Sequence, residues 1–347
     1  MLSVSRVTAF LVGLFMIGQG VWTTPVLASQ PHVNIYSYRQ EILMRPLLKA
    51  FTAETGIKVN IVSGKADALL QRLKSEGRNS PADLLLTADV ARLVRAEKAG
   101  VLQPVDDATL KTVIPAQYRD DEGHWFGLSL RARVLFFAKD RVSAADLSSY
   151  EELTAEKWRG RLCVRSSANI YNQSLLSSMI AHKGEEAARQ WAKGIVANFA
   201  RRPQGGDRDQ IMAVASGECD VAIANSYYYG RMVASKAGGA QAKAAQKVAL
   251  FWPNQQGRGA HVNISGAGVT KSAKNRENAI ALLKFLVSEK AQQIYAEEVF
   301  EYPVRAGAPL SPVLKSWGAF KADALPLADF AVHNRKAVMT FDQVGWR

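Results

Sequence analysis

The chain is predicted to be an α/β protein of two lobes, each a mostly parallel sheet flanked by helices, with a cleft between them. Three observations carry that prediction. Short apolar runs of strand character alternate with runs of helical periodicity, the pattern of strand–helix–strand units. The alternation starts afresh near residue 130, and near residue 258 the chain turns Gly-rich before a further helix, as if crossing to a second lobe and returning. A length of 347 residues, 48% of them hydrophobic, supplies enough material for two cores.

Residues 1–28 are set aside as a secretory leader. One positive charge, Arg6, precedes the apolar run Val7–Gly18, which is too short to span a bilayer, and Val26-Leu27-Ala28 places small or compact residues at a cleavage site. No cysteine follows for lipid attachment, and no later stretch approaches 18 consecutive apolar residues. The mature chain is expected to be a soluble monomer, not membrane-embedded, in the periplasm.

The first lobe opens with a strand at Val33–Tyr38. The helix Glu41–Glu54 then places Leu43, Leu47, Leu48 and Phe51 near one face, and Gly56 stops it. Lys58–Val62 reads as a second strand and Asp67–Ser75 as a helix with Leu69, Leu70 and Leu73 inward. Ala82–Leu86 is apolar enough for a strand covered on both faces, and a helix over Ala88–Ala99 ends at Gly100. The second lobe has strands at Arg133–Ala138, Arg161–Arg165 and Asp220–Ala224. Its helices fall at Gln173–His182, Gly184–Ala197 and Arg208–Ser216. After Val248–Trp252 comes the Gly-rich stretch Gly257–Gly268 and a helix over Glu277–Ser288. The lobes are therefore expected to comprise residues 29–130 with about 259–305, and 131–258 with about 306–347. Ligands of open α/β sheets bind beyond the carboxyl ends of strands, where this cleft would lie.

The net charge of +13 is scattered, with no basic run longer than Arg201-Arg202, which argues against a nucleic-acid partner and for a field that attracts small anions. Phosphate-loop, dinucleotide, zinc-protease and serine-hydrolase signatures are missing, and the five histidines are isolated, so no catalytic residues are assigned and the chain reads as a non-enzyme.

Two cysteines, Cys163 and Cys219, in an exported chain point to a disulfide. Each precedes a tyrosine by eight residues, Tyr171 and Tyr227. If the cysteines pair, their strands are neighbours and both tyrosine segments emerge at one sheet edge. Tyr227-Tyr228-Tyr229 follows a strand, so three phenols could converge. Fe(III) is a hard cation that prefers oxygen donors. A free phenol loses its proton only near pH 10, yet a bound metal stabilises the phenolate at neutral pH. On pattern alone a second reading stays open, in which the tyrosines are half-buried surface with hydrogen-bonded hydroxyls.

Four segments, Tyr36-Ser37-Tyr38-Arg39-Gln40, Phe51–Val59, Arg165–Ser174 and Asn225–Arg231, resemble the periplasmic ferric-ion-binding proteins of bacterial iron ABC transporters. The similarity runs over nearly the whole mature chain. It implies the two-lobed periplasmic-binding-protein fold, Fe(III) as cargo, and an inner-membrane ABC permease as partner. Tyr227 and Tyr228 match the tyrosine pair that ligates iron, and Tyr171 matches the third tyrosine. Where many members place a histidine or another tyrosine, this chain has Gln40 and Glu41, with Tyr38 slightly earlier as a first-lobe contact. Some relatives complete the iron shell with carbonate held by arginine. Arg39 and Arg131 are the candidates here, for carbonate or another small anion. Tyr229 is left outside the ligand set. The rival expectation is a binding protein of the same architecture for an organic anion, a phosphonate or a polyamine.

Overall fold

The computed structural model describes residues 30–347, so the leader expected over residues 1–28 lies outside the described residues. The chain begins with β1 (His32–Ser37), α1 (Glu41–Thr55), β2 (Lys58–Ser63), α2 (Ala66–Glu76), β3 (Leu84–Ala88), α3 (Val90–Lys98) and α4 (Ala108–Val113). The long β4 (Phe126–Ala138) follows, then β5 (Leu162–Cys163), α5 (Ile170–Ala197), α6 (Asp207–Ser216), β6 (Val221–Asn225), α7 (Ser226–Val233), α8 (Ala240–Lys247) and β7 (Val248–Phe251). The last part contains β8 (Val262–Val269), α9 (Arg276–Leu286), α10 (Glu289–Ile294), β9 (Tyr302–Pro303), α11 (Pro312–Ser316), α12 (Leu327–Ala331) and α13 (Asn334–Val344).

Local sequence explains the expected elements well. Helix α1 buries Leu43, Met44, Leu47, Leu48 and Phe51 at three- and four-residue spacing and ends at Gly56, whose φ of 71° suits a residue without Cβ. Strands β3, β4, β6 and β8 are buried at every position, as their apolar runs demand in a sheet covered on both faces.

The strands follow the order β2-β1-β3-β8-β4-β6-β5, with β7 and β9 pairing with β4 off that path. Parallel pairing, expected throughout both lobes, is confined to β1–β2, β1–β3 and β5–β6. Every pair made by β4 or β8 is antiparallel. The reason is topological: one of these strands carries the chain out and the other brings it back. Strand β4 changes neighbour midway, with Phe126–Ala132 against β8 and Arg133–Phe137 against β6. It joins the two halves of a two-lobed molecule.

Strand β8 lies in the stretch that the sequence reads as merely Gly-rich. Its glycines mark close approach rather than a loop. A Cβ on Gly266 would sit 2.6 Å from the Phe126 carbonyl oxygen, and one on Gly268 would sit 2.3 Å from that of His124. One buried cluster gathers Phe51, Leu93, Trp125 and Leu283, and a second gathers Tyr150, Trp158, Trp191 and Trp346. Helix α13 packs on α5, while α12 touches both α5 and α3. Among the described residues no helix is long and apolar enough to cross a membrane.

Candidate metal centre

The three tyrosines sit at two helix starts. Tyr171 is the second residue of α5, where the Asn169 side chain caps the helix by accepting a hydrogen bond from the Tyr171 N–H (3.0 Å). Tyr227 and Tyr228 are the second and third residues of α7, a helix that the sequence pattern did not reveal. The strands that lead into these helices, β5 and β6, run side by side and parallel, with Cys163 opposite Ala222. Cys163 and Cys219 form a disulfide with their Cα atoms 5.9 Å apart. Both helices therefore leave the same edge of one sheet, and the partial positive charge of a helix start favours an anion there.

A cavity of about 200 Å³ is lined by Tyr171, Tyr227 and Tyr228 together with Tyr38, Arg39, Gln40, Leu43, Ala88 and Arg231. Larger hollows lie elsewhere, one of about 870 Å³ beside Glu151, His182, Trp252 and Arg258, but no set of phenols converges there. Tyr171 and Tyr227 are buried, and the rings of Tyr227 and Tyr228 lie 4.2 Å apart. Burial pushes the Tyr227 and Tyr228 phenols well above their ordinary range, and the negative charge that neighbouring tyrosines would carry pushes further. Arg131 and Arg39 pull Tyr227 back, and Arg165 does the same for Tyr228. A phenol raised in this way stays protonated at neutral pH, and a bound cation is what can stabilise its phenolate.

Arginines surround the rings. The Arg131 guanidinium lies 5.0 Å from the centre of the Tyr171 ring, Arg165 lies 5.6 Å from the same ring, and Arg39 lies 6.0 Å from that of Tyr227. Arg131 is buried and donates from Nη2 to the Ile264 carbonyl (2.7 Å), while its Nε and Nη1 have no partner. Burial works against its charge, while the negative charge of Tyr171, when ionised, and of the Glu301 carboxylate raises its pKa above the ordinary arginine value. A buried cation with two unpartnered nitrogens beside the Tyr171 ring suits a small anion. Arg39 differs, because its Nη2 is held by Glu301 Oε1 at 2.7 Å, although its Nε is also without a partner. Glu301 in turn accepts from Ser129 and Ser265.

Tyr38 borders the cavity with the Arg92 guanidinium 4.0 Å from its ring centre. Tyr229 stays outside, donating its hydroxyl to the carbonyls of Ala245 (3.0 Å) and Val248 (2.8 Å) and packing on Phe136. Sequence reasoning missed Arg165 and Arg231. A helix over Ser226–Val233 would have revealed Arg231, which lies one turn beyond Tyr227 on the same face. Burial and the nearby Arg208 charge lower the Arg231 pKa.

Comparison with known proteins identifies the family. The family described as bacterial extracellular solute-binding protein matches residues 47–322. Iron uptake protein A1 of Synechocystis is 50% identical over 318 residues, 92% of this chain and 88% of that relative. The major ferric iron-binding protein of Neisseria meningitidis is 30% identical, covering 81% and 82%. Among solved structures, Trichodesmium IdiA (FutA) in complex with iron and citrate superimposes with a TM-score of 0.87 at 49% identity, covering 91% of this chain and all of that one. The apo ferric ion-binding protein A of Pasteurella haemolytica gives 0.86 at 44% identity, covering 91% and 98%. The chain belongs to the bacterial extracellular solute-binding proteins, within their ferric-ion-binding group.

Proposed function

We propose that this chain captures ferric iron in the periplasm through the phenolates of Tyr171, Tyr227 and Tyr228 and delivers it to an inner-membrane ABC permease. One observation carries the reading: three phenols from two adjacent helix starts line one small cavity among arginines. Three phenolates balance a 3+ ion without carboxylates, which calcium and magnesium would also accept. Arg131, with two unpartnered nitrogens beside the Tyr171 ring, is assigned to a synergistic anion such as carbonate, and Arg39 borders the cavity itself. The chain acts by binding and release rather than turnover.

The lobes are assigned to residues 29–130 with about 259–305, and 131–258 with about 306–347. The change of β4 partner between Ala132 and Arg133 supports the first of these boundaries. The leader over residues 1–28 is assigned to export on its sequence alone.

The experiment is a visible spectrum of the mature protein with and without Fe(III). A red phenolate-to-iron charge-transfer band is expected. A colourless protein that binds an organic anion, phosphonate or polyamine would overturn the reading.

A further inference from the structure

We propose that Arg133 is a positioning residue for iron capture, its single guanidinium setting the separation of the two helix starts that carry Tyr171, Tyr227 and Tyr228. The proposal rests on those tyrosines being the iron ligands. Arg133 lies in β4 at the point where that strand passes from β8 to β6, in register with Asn225, and its side chain is 1% exposed. Nη2 donates to Asn172 Oδ1 at 2.5 Å, the residue after Tyr171. Nη1 donates to Asn225 Oδ1 at 3.1 Å, the residue before α7, and approaches both carboxylate oxygens of Asp207, the first residue of α6, at 3.4 Å.

One planar fork therefore touches the starts of α5, α6 and α7. Asn172 is itself fixed, since its Nδ2 donates to the carbonyls of Arg165 (2.9 Å) and Ser166 (3.2 Å), which leaves its oxygen for Arg133. Asp207 is fully buried and also accepts from the Asn225 N–H at 3.3 Å. A buried ion pair contributes little net stability compared with packed apolar residues. What this one supplies is fixed geometry, which lysine, a point charge, cannot reproduce. Phenolates must meet an ion at bonding distance at the same time, so small shifts between α5 and α7 move them apart.

The test uses the mature protein, with Fe(III) affinity from chelator competition, the position of the charge-transfer band, and the melting temperature of the iron-free form. Asn172→Ala and Asn225→Ala each remove one arm of the tether without unpairing Asp207. Both are expected to lose roughly 10–100-fold in affinity and to shift the band. Arg133→Lys, which keeps the charge but loses the planar fork, should behave likewise. If both alanine variants bind as tightly as wild type, or bind more weakly with an unmoved band, the role is only structural and the proposal falls. A wild-type protein with no band overturns the iron reading and this proposal together, and is distinguished from failure of the tether by its lack of colour.

Discussion

At the residue scale, the proposed chemistry rests on tyrosine oxygens, and burial raises the pKa values of Tyr227 and Tyr228. Removing one oxygen leaves a trivalent ion undercompensated, so Tyr227→Phe and Tyr228→Phe should each lose orders of magnitude in Fe(III) affinity by chelator competition, with Tyr38→Phe losing far less. Tyr38 is the weaker candidate because it only borders the cavity, beneath Arg92. The pH dependence has a definite sign. Burial raises the Tyr227 and Tyr228 pKa values, so each phenol must release a proton when iron binds, and affinity should fall as pH falls. A titration from neutral to about pH 4 that finds constant affinity would exclude phenolate ligation. The two arginines separate cleanly. Arg39→Ala leaves Glu301 buried without its cation and should destabilise the fold by roughly 3–5 kcal/mol in chemical denaturation. Arg131 has no carboxylate hydrogen-bonded to it, so Arg131→Ala should mainly abolish the dependence of iron affinity on added carbonate.

At the element scale, the disulfide and the glycines of β8 show how local choices hold the site. The Cys163–Cys219 bond spans 56 residues and ties the strand before Tyr171 to the segment before β6. Reduction, or replacement of both cysteines by serine, should lower unfolding free energy by roughly 4 kcal/mol in the loop-entropy model, measurable by denaturation with and without reductant. Gly268→Ala should be more damaging than a surface Gly→Ala change, because its new methyl would meet the His124 carbonyl, which is backbone and cannot swing aside. The apolar runs of β3 and β6 and the periodic face of α1 were legible in the sequence because burial and period leave direct marks. Strand β8 was not, since its glycines answer to neighbours more than a hundred residues away. Helix α7 escaped because it is only eight residues long and carries three tyrosines and a glycine, none of them a strong helix former.

At the scale of the whole molecule, β4 and β8 run antiparallel between the two halves of the sheet and join them. Iron that binds only the folded protein stabilises it by mass action, so free Fe(III) at about a thousand times Kd should add roughly 4 kcal/mol. Differential scanning calorimetry should then show a higher transition temperature for the loaded protein. Equal transition temperatures with and without iron would contradict tight capture by the native state.

The sequence by itself determined the α/β class, the return of the chain and the cysteine pairing, and its spacing made Tyr171, Tyr227 and Tyr228 candidates, because period and spacing are local properties. The tertiary structure decided what surrounds those tyrosines. Arg39 meets Glu301 across 262 residues, Arg133 meets Asn172 and Asn225 across 39 and 92, and Tyr229 turns away to carbonyls beyond its own helix. Which cations stay unpaired beside the tyrosine rings, and which are consumed by a buried carboxylate, follows from the packing of distant segments, and no short stretch of sequence encodes it.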